Sequence, residues 1–430
     1  MNGYTYETFR PHIDPVTGDP DEPTSNYIRA MRAGFHDANP SPRILRTQAR
    51  QSVLDKRVFT AVYQESSAPY GYPPAIPVAT FAHFTKDMNV GLGHMLPVHL
   101  ITWVTVRPSH RRRGILRSLM TENLLEARRQ GFCIAALTAT EGGIYTRFGF
   151  GAATWYSRIT VDTSPGFALL HDTDRRVEMC DPEVLETLSP QLYEQFMRVS
   201  PGAIGRQQRY IDVNTGTYNQ DTGEPDKNVR AALHYDSAGD PDGYVTYRFD
   251  GWDKEPRSIT VLDFVAVTDD AYAALWEFLG SIDLVEQVNF GYAAEHSPLA
   301  WLLRDPRRAK VTGQSDGIWL RILDPLEALR ARPWTVPGRL SLCVSDDHDI
   351  ASGCYLIDST GTGADVQRLP DNTQCDLYVN VAELGSIYLG GADPVLLTRA
   401  GRIREETRGA SLLARALFGL ERRPYSPNDF

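Results

Sequence analysis

The stretch Val104-Thr105-Val106-Arg107-Pro108-Ser109-His110-Arg111-Arg112-Arg113-Gly114-Ile115-Leu116, continued by Arg117-Ser118-Leu119-Met120, constrains the fold of this chain more than any other. A β-branched run enters a basic, glycine-containing turn, and the turn opens a segment whose apolar residues recur at helical spacing. Strand, turn and helix in that order make an anion cradle. The first backbone N–H groups of a helix have no intrahelical partner, and arginines beside them suit a pyrophosphate. The bland alternative is an exposed basic turn whose charge is simply solvated.

With 430 residues, 42% of them hydrophobic, the chain can bury a large core and divides into two to four domains. Its 54 acidic and 44 basic residues leave a formal charge of −10, which argues against a general nucleic-acid binder and favours cationic partners. The five cysteines, Cys133, Cys180, Cys343, Cys354 and Cys375, show no C-x-x-C or Cys/His metal pattern, so no metal site is expected and a reduced, cytoplasmic protein is. Met1 to Pro20 has no basic flank leading into an apolar core, and no apolar run reaches the ~18 residues of a membrane span.

Along the chain, helices are expected near Asn26–Phe35, from Ser41 to Lys56 and from Ile115 to Arg129. Strands are expected at Val58–Gln64, Pro77–Thr85, His99–Val106 and Phe132–Ala139, with Ala153–Val161 closing the unit. Helices and strands alternate, which favours an α/β layer with a central mixed sheet. From Asp162 the order repeats, yet the strand Ser258–Val267 is followed by Thr268-Asp269-Asp270, an acidic helix start that repels an anionic ligand. Pro333 and Pro337 mark the next boundary, and helices dominate the remainder. The expected domains are therefore 1–161, 162–324 and 325–430.

The chain lacks G-x-x-x-x-G-K-[ST] and G-x-G-x-x-G, which disfavours a P-loop nucleotide and a dinucleotide and leaves coenzyme A. Arg111-x-x-Gly114-x-Leu116 resembles the R/Q-x-x-G-x-G/A signature of GNAT acetyltransferases, with Leu116 in place of the final small residue. Val104 to Gly114, followed by Glu141-Gly142-Gly143-Ile144-Tyr145-x-Arg147-Phe148-Gly149-Phe150-Gly151, is similar to the enhanced intracellular survival (Eis) acetyltransferases. The resemblance covers essentially the whole chain. It implies an α/β (α+β) fold with two GNAT-type mixed-sheet domains, the second without a cofactor motif, then a sterol-carrier-protein-like α+β domain whose C-terminus reaches the active site.

Carried over by residue, the resemblance implies acetyl-CoA contacts from Val104, Thr105 and Val106, from Arg112, Arg113, Gly114, Ile115, Leu116 and Arg117, and from Thr140 and Glu141. It makes Tyr145 the general acid, a phenol of ordinary pKa ~10 that can protonate a departing thiolate. The amide of Val104 is the candidate oxyanion donor. The α-carboxylate of Phe430 is the implied base; an ordinary pKa of ~3.5 suits it better to orienting an amine. Asp37 and Asp429 are the implied substrate-binding acids, against the reading of both as solvated surface aspartates. His110 is structural, and His36 and His83 could touch a substrate.

These readings converge on an N-acetyltransferase acting on aminoglycoside-like polycations by direct ternary-complex attack. Cys133, in an apolar strand, is inert and carries no acetyl group. The alternatives are acetylation of a protein or peptide lysine, and a non-catalytic lipid or acyl-CoA binder. The resemblance also implies a homohexamer. No nucleic acid and no membrane span are expected.

Overall fold

The computed structural model describes residues 3–66, 68–220 and 222–430, which form three mixed sheets flanked by helices. In the first sheet, β1 (Tyr4–Phe9) is followed by α1 (Glu22–Gly34) and α2 (Pro42–Leu54), then by β2 (Val58–Gln64), β3 (Ala79–Asn89) and β4 (Met95–Val106). These four strands pair antiparallel in chain order. Helix α3 (Ile115–Arg129) then crosses over to β5 (Ile134–Thr138), which lies parallel to β4. Both early helices start where local chemistry dictates. The Asp21 side chain accepts from the Thr24 amide and the Ser41 side chain from the Ile44 amide, each ahead of a first-turn proline.

β1 was not expected from the sequence. Its Tyr-Thr-Tyr-Glu-Thr-Phe pattern is half exposed on an edge, so it lacks the apolar alternation that marks an interior strand. The larger correction concerns which strand closes this sheet. β6 (Gly151–Ala152) is only a short end strand, and β7 (Trp155–Asp162), expected to complete the first unit, belongs to the second sheet. Its place beside β5 is taken by Ile318–Ile322, in register from Ile318↔Thr138 to Ile322↔Ile134. The two units thus exchange strands. Strand propensity specifies an extended segment and leaves the choice of partner to burial across the whole fold.

Ile318–Ile322 is buried on both faces, Arg321 included. The Arg321 guanidinium donates to Asp346 at 2.6 Å and to the Ile322 carbonyl at 2.8 Å, which compensates a charge that would otherwise be very costly in the interior. The second sheet runs Ala309–Asp316, β7, Gln287–Ala294, Ser258–Ala266, Pro241–Phe249, Val229–Tyr235 and Val177–Cys180. Its parallel pair, Ser258–Ala266 and Gln287–Ala294, is bridged by the helix Asp269–Gly280, repeating the crossover of the first unit.

The third sheet runs Ala364–Leu369, Gly353–Thr360, Pro337–Ser345, Leu377–Asn380 and Ile403–Glu405. Its helix Val381–Tyr388 lies against the first sheet so closely that a Cβ on Gly151 would come within 1.8 Å of the Ala382 carbonyl oxygen. One apolar core therefore runs from Leu100 and Ile134 through Leu320 to Leu340 and Leu384. The sheet also gathers three cysteines that are far apart in sequence. Cys343 and Cys354 are cross-strand partners with their sulfurs 3.0 Å apart, and Cys375 is buried with its sulfur 3.7 Å from the Thr373 carbonyl oxygen. No helix among the described residues is long and apolar enough to cross a membrane.

Candidate active site

β4 and β5 are paired only at His99↔Ala135 and Leu100↔Ala136, although β4 runs on to Val106 and β5 to Thr138. Beyond that point the strands separate and leave two unpaired edges. A bulge sharpens the opening: between Thr80↔Thr105 and Ala82↔Thr102, Trp103 and Val104 together face the single residue Phe81. Trp103 has φ +54°, a conformation that costs roughly 1–3 kcal/mol in a bulky residue. Its ring is held by the Arg57 guanidinium at 4.3 Å and by Phe59 at 5.7 Å. A cavity of about 610 Å³ fills the opening, with Val104, Thr138, Thr140 and Tyr145 in its wall.

Tyr145 ends α4 (Gly142–Tyr145), a single helical turn after β5. It is 8% exposed, packed edge-on to Phe150 at 6.3 Å. Burial and then the charge of Glu141 push its pKa up to about 12, so the phenol keeps its proton throughout the neutral range.

The tail Pro424 to Phe430 threads between the first two sheets into the same cavity. The Tyr425 amide donates to Pro201 O at 2.7 Å, and the buried Asn428 donates to Tyr193 Oη at 2.7 Å and Ile204 O at 3.0 Å. Phe430 then packs edge-on to Phe84 at 5.8 Å, and its terminal oxygen accepts from Thr138 Oγ1 at 2.6 Å. The tail is anchored at each of these points.

Asp429 lines the cavity, but much of its bonding capacity is committed. Arg209 pairs with it, Tyr210 Oη donates at 2.7 Å and Tyr292 Oη at 3.2 Å. Burial disfavours its charge; Arg209 and the two hydroxyls outweigh burial and hold the carboxyl below the usual range. Asp37 is the more available acid. It is half exposed in the cavity wall, 3.7 Å from Arg32, and reaches that place because α1 lies flat on β4, where a Cβ on Gly34 would sit 2.5 Å from Thr105.

The phosphate cradle forms at the start of α3. Arg112 (φ +62°) and Gly114 (φ +81°) curl the backbone, Gly114 caps the helix without a side-chain hydrogen bond, and Arg111, Arg112 and Arg117 are exposed beside it. The uncapped amides and the flanking charge fit a pyrophosphate. Three expected contact residues have side chains that are buried or already hydrogen-bonded within the chain. Arg113 donates to Tyr4 Oη at 2.7 Å and Ser109 O at 3.0 Å, Ile115 is buried, and the Thr105 hydroxyl shares a buried 2.7 Å bond with Thr80. The corresponding helix of the second sheet offers no such cradle. Thr268 caps it, Asp269 and Asp270 follow, and Thr268 in turn donates to Asp242 at 2.7 Å.

Of the histidines, His36 lines the cavity, whereas His110 is buried against Gln64 and Ser109. The His83 ring lies tilted against His99 at 4.8 Å, and both bond Asn123. Burial, then His99, pushes His83 down to about 3; burial pushes His99 down to about 4, partly offset by Asn123. The folded state therefore binds fewer protons than the unfolded state between about pH 6.5 and these values, and stability falls as the pH drops through that window. Urea unfolding at pH 7 and pH 5 is expected to show a lower midpoint at pH 5. A His83→Asn, His99→Leu double variant should lose much of that difference.

Several cavity residues carry no recognisable sequence signal. Arg57 follows Lys56 just ahead of β2, and Gln207 and Arg209 lie in a polar run, Arg206 to Tyr210, that resembles ordinary surface. Only folding of the second unit against the first turns that run inward.

Comparison with known proteins agrees with this architecture. The Acetyltransferase (GNAT) domain description matches residues 21–153 and again, through a second family, residues 202–322, and the Sterol carrier protein domain matches residues 326–427. An uncharacterized N-acetyltransferase of Streptomyces avermitilis is 34% identical over 95% of this chain and 96% of its own length. N-acetyltransferase Eis of Mycobacterium tuberculosis is 33% identical over 75% of this chain and 77% of its own. The crystal structure of Eis1 from Mycobacterium abscessus superposes with a TM-score of 0.79 at 27% identity, covering 99% of this chain and all of that one. The match to GNAT domains implies that this chain uses acetyl-CoA. On these grounds the chain belongs to the Eis family of GNAT N-acetyltransferases.

Proposed function

We propose that this enzyme transfers acetyl from acetyl-CoA to an amine held in the 610 Å³ cavity, by direct attack within a ternary complex. The observation that carries the reading is the meeting of Val104, Tyr145, Asp37 and the Phe430 carboxylate around one cavity, although they come from four separate parts of the chain. Acetyl-CoA, when bound, supplies the acyl thioester. Val104, Thr105 and Val106 would align its pantetheine arm along the open β4 edge, and the amides from Arg112 to Arg117 would face its pyrophosphate, with Thr140 and Glu141 on the far side. The Val104 amide, within the bulge, would donate to the developing oxyanion. Tyr145 donates its proton to the departing sulfur. The Phe430 carboxylate and Asp37 hold and orient the incoming amine, and the proton that its nitrogen gives up on attack passes through the Phe430 carboxylate to water, from which Tyr145 regains the one it donates.

Aminoglycoside-like polycations are the first acceptor class to assay, and the two carboxylates support capture of their ammonium groups. Asp429, committed to Arg209, would contribute through its remaining acceptor capacity. We place the enzyme in the cytoplasm as a homohexamer, with acetyl-CoA held by the first unit (1–161), no cofactor in the second (162–324), and the catalytic tail supplied by the third (325–430). The test is thiol release from acetyl-CoA across an aminoglycoside panel and a set of lysine peptides. Turnover of aminoglycosides supports the reading; turnover of lysine peptides alone would move the activity to proteins, and no turnover of any amine would remove it.

A further inference from the structure

Tyr145 stands on a piece of backbone with little support of its own. Glu141 gives α4 no side-chain cap, Gly142 and Gly143 open it, and after four residues it passes into a second tight turn, Thr146–Phe148, closed by Gly149 at φ +80°. A helical turn this short does not hold itself in water, and two glycines at its start add freedom that ordering must remove. A general acid nevertheless works only when it is kept within hydrogen-bond reach of the atom it protonates. The turn therefore depends on contacts from outside it.

Those contacts come from the third unit, from the loop 346–352 between Pro337–Ser345 and Gly353–Thr360. His348 lies in that loop. Its Nε2 donates to the Arg147 carbonyl oxygen at 2.8 Å, and its ring stacks on Phe148 with 5.6 Å between centroids and 22° between planes. A carbonyl only accepts, so the neutral imidazole carries its proton on Nε2. Both contacts fall on the backbone stretch that directly follows Tyr145.

The loop is itself held. The Asp346 carboxylate accepts from the amides of His348 at 3.1 Å, Ile350 at 2.9 Å and Ala351 at 2.9 Å, and from the buried Arg321 guanidinium at 2.6 Å. Arg128, near the end of α3, donates to the Ile350 carbonyl. The turn presses on the same guanidinium: a Cβ on Gly149 would lie 2.8 Å from Arg321 Nε and 2.7 Å from Val381 Cγ1. A continuous set of contacts thus runs from Arg321 through Asp346 and His348 to the backbone beside Tyr145.

We infer that His348 is a positioning residue for the reaction, holding the Tyr145 turn from the third unit, so that this unit supports the acid as well as supplying the tail. The inference rests on the proposed reading of Tyr145 as the group that protonates the departing sulfur. His348 acts through Arg147 and Phe148 and takes no proton in the reaction. It is half-buried on a loop, so its replacement leaves the core in place.

The experiment is a double-variant cycle on the full-length enzyme, with thiol release read at saturating acetyl-CoA and the best amine of the panel. His348→Ala is expected to lower kcat about 10- to 100-fold, the upper end being the cost of about 1 Å of misplacement at a reacting centre, with the KM for acetyl-CoA within about twofold. His348→Gln, whose amide keeps a donor near the place of Nε2, should recover to within about fivefold of the parent. In a Tyr145→Phe background, His348→Ala should cost less than about twofold more, because the group it positions is gone. A general loss of structure would lower both backgrounds alike, and thermal melting of each protein reads it directly. His348→Phe keeps the ring on Phe148, loses only the donor and should lower kcat about 3- to 10-fold; it carries the same cycle if His348→Ala does not fold. Parental kcat in His348→Ala, an equal fall in both backgrounds, or a His348→Gln variant no better than His348→Ala would overturn the inference. If Tyr145→Phe is itself as active as the parent, the reading of Tyr145 fails and the inference with it, a result distinct from an active acid that His348 does not position.

Discussion

Tyr145→Phe is expected to lower kcat by about 10²- to 10⁴-fold, the range that a positioned general acid contributes, with acetyl-CoA affinity retained. The substitution deletes one oxygen and keeps the ring that packs edge-on to Phe150, so the short helical turn and the cavity wall should persist. Without the phenol, the thiolate must leave unprotonated or find water. Because burial and Glu141 push the phenol up to about 12, the parent enzyme should show no loss of its acid form below about pH 10. Steady-state kinetics from pH 6 to 10, with calorimetric titration of acetyl-CoA into both proteins, separate the outcomes. Unchanged kcat would remove Tyr145 from proton transfer, and lost acetyl-CoA binding would make it a structural residue of the cofactor site.

The second large effect is expected at the other end of the chain. Deleting Phe430, or adding residues after it, should lower kcat/KM by about 10²-fold, comparable to a misplacement of about 1 Å at a reacting centre. Deletion removes both the ring on Phe84 and the oxygen held by Thr138 Oγ1 at 2.6 Å. An extension converts the carboxylate to an amide while leaving the ring available, so the two variants separate anchoring from charge. The hydrogen bonds of Asn428 and Tyr425 lie upstream and should keep the rest of the tail in place. Circular dichroism and thermal melting check the fold, and the thiol-release assay reads the effect. An extended chain with parental rates would exclude the terminal carboxylate from the reaction.

Both expectations depend on a site that is only partly legible before folding. Local chemistry marked the elements that lie next to one another in sequence. The β-branched run into the Arg-rich turn, Gly114 at the start of α3 and the Glu141-Gly142-Gly143 turn ahead of Tyr145 all have short-range causes: strand propensity, a left-handed glycine and an uncapped helix start. The acidic start of the helix at Asp269 was equally readable, because a cap and two carboxylates occupy the amides that a phosphate would need.

What folding alone decided is every relation between distant segments. Sequence patterns could not show that β7 leaves the first sheet and Ile318–Ile322 enters it, since both are strand-forming and only total burial chooses between them. Nor could they show that Arg209, from a polar run in the second unit, takes up the charge of Asp429 and so changes which acid is free for a substrate. Arg57 gave no signal because a single arginine ahead of a strand is ordinary; only the fold lays Trp103 and Phe84 against it. The sequence by itself determined the family and the basic strand–turn–helix at Gly114, because those rest on local backbone conformation and on contiguous motifs. Only the tertiary structure decided the charge balance of the cavity that Tyr145 and Phe430 share, because the energy of a buried charge depends on which partners the fold brings within a few ångströms of it.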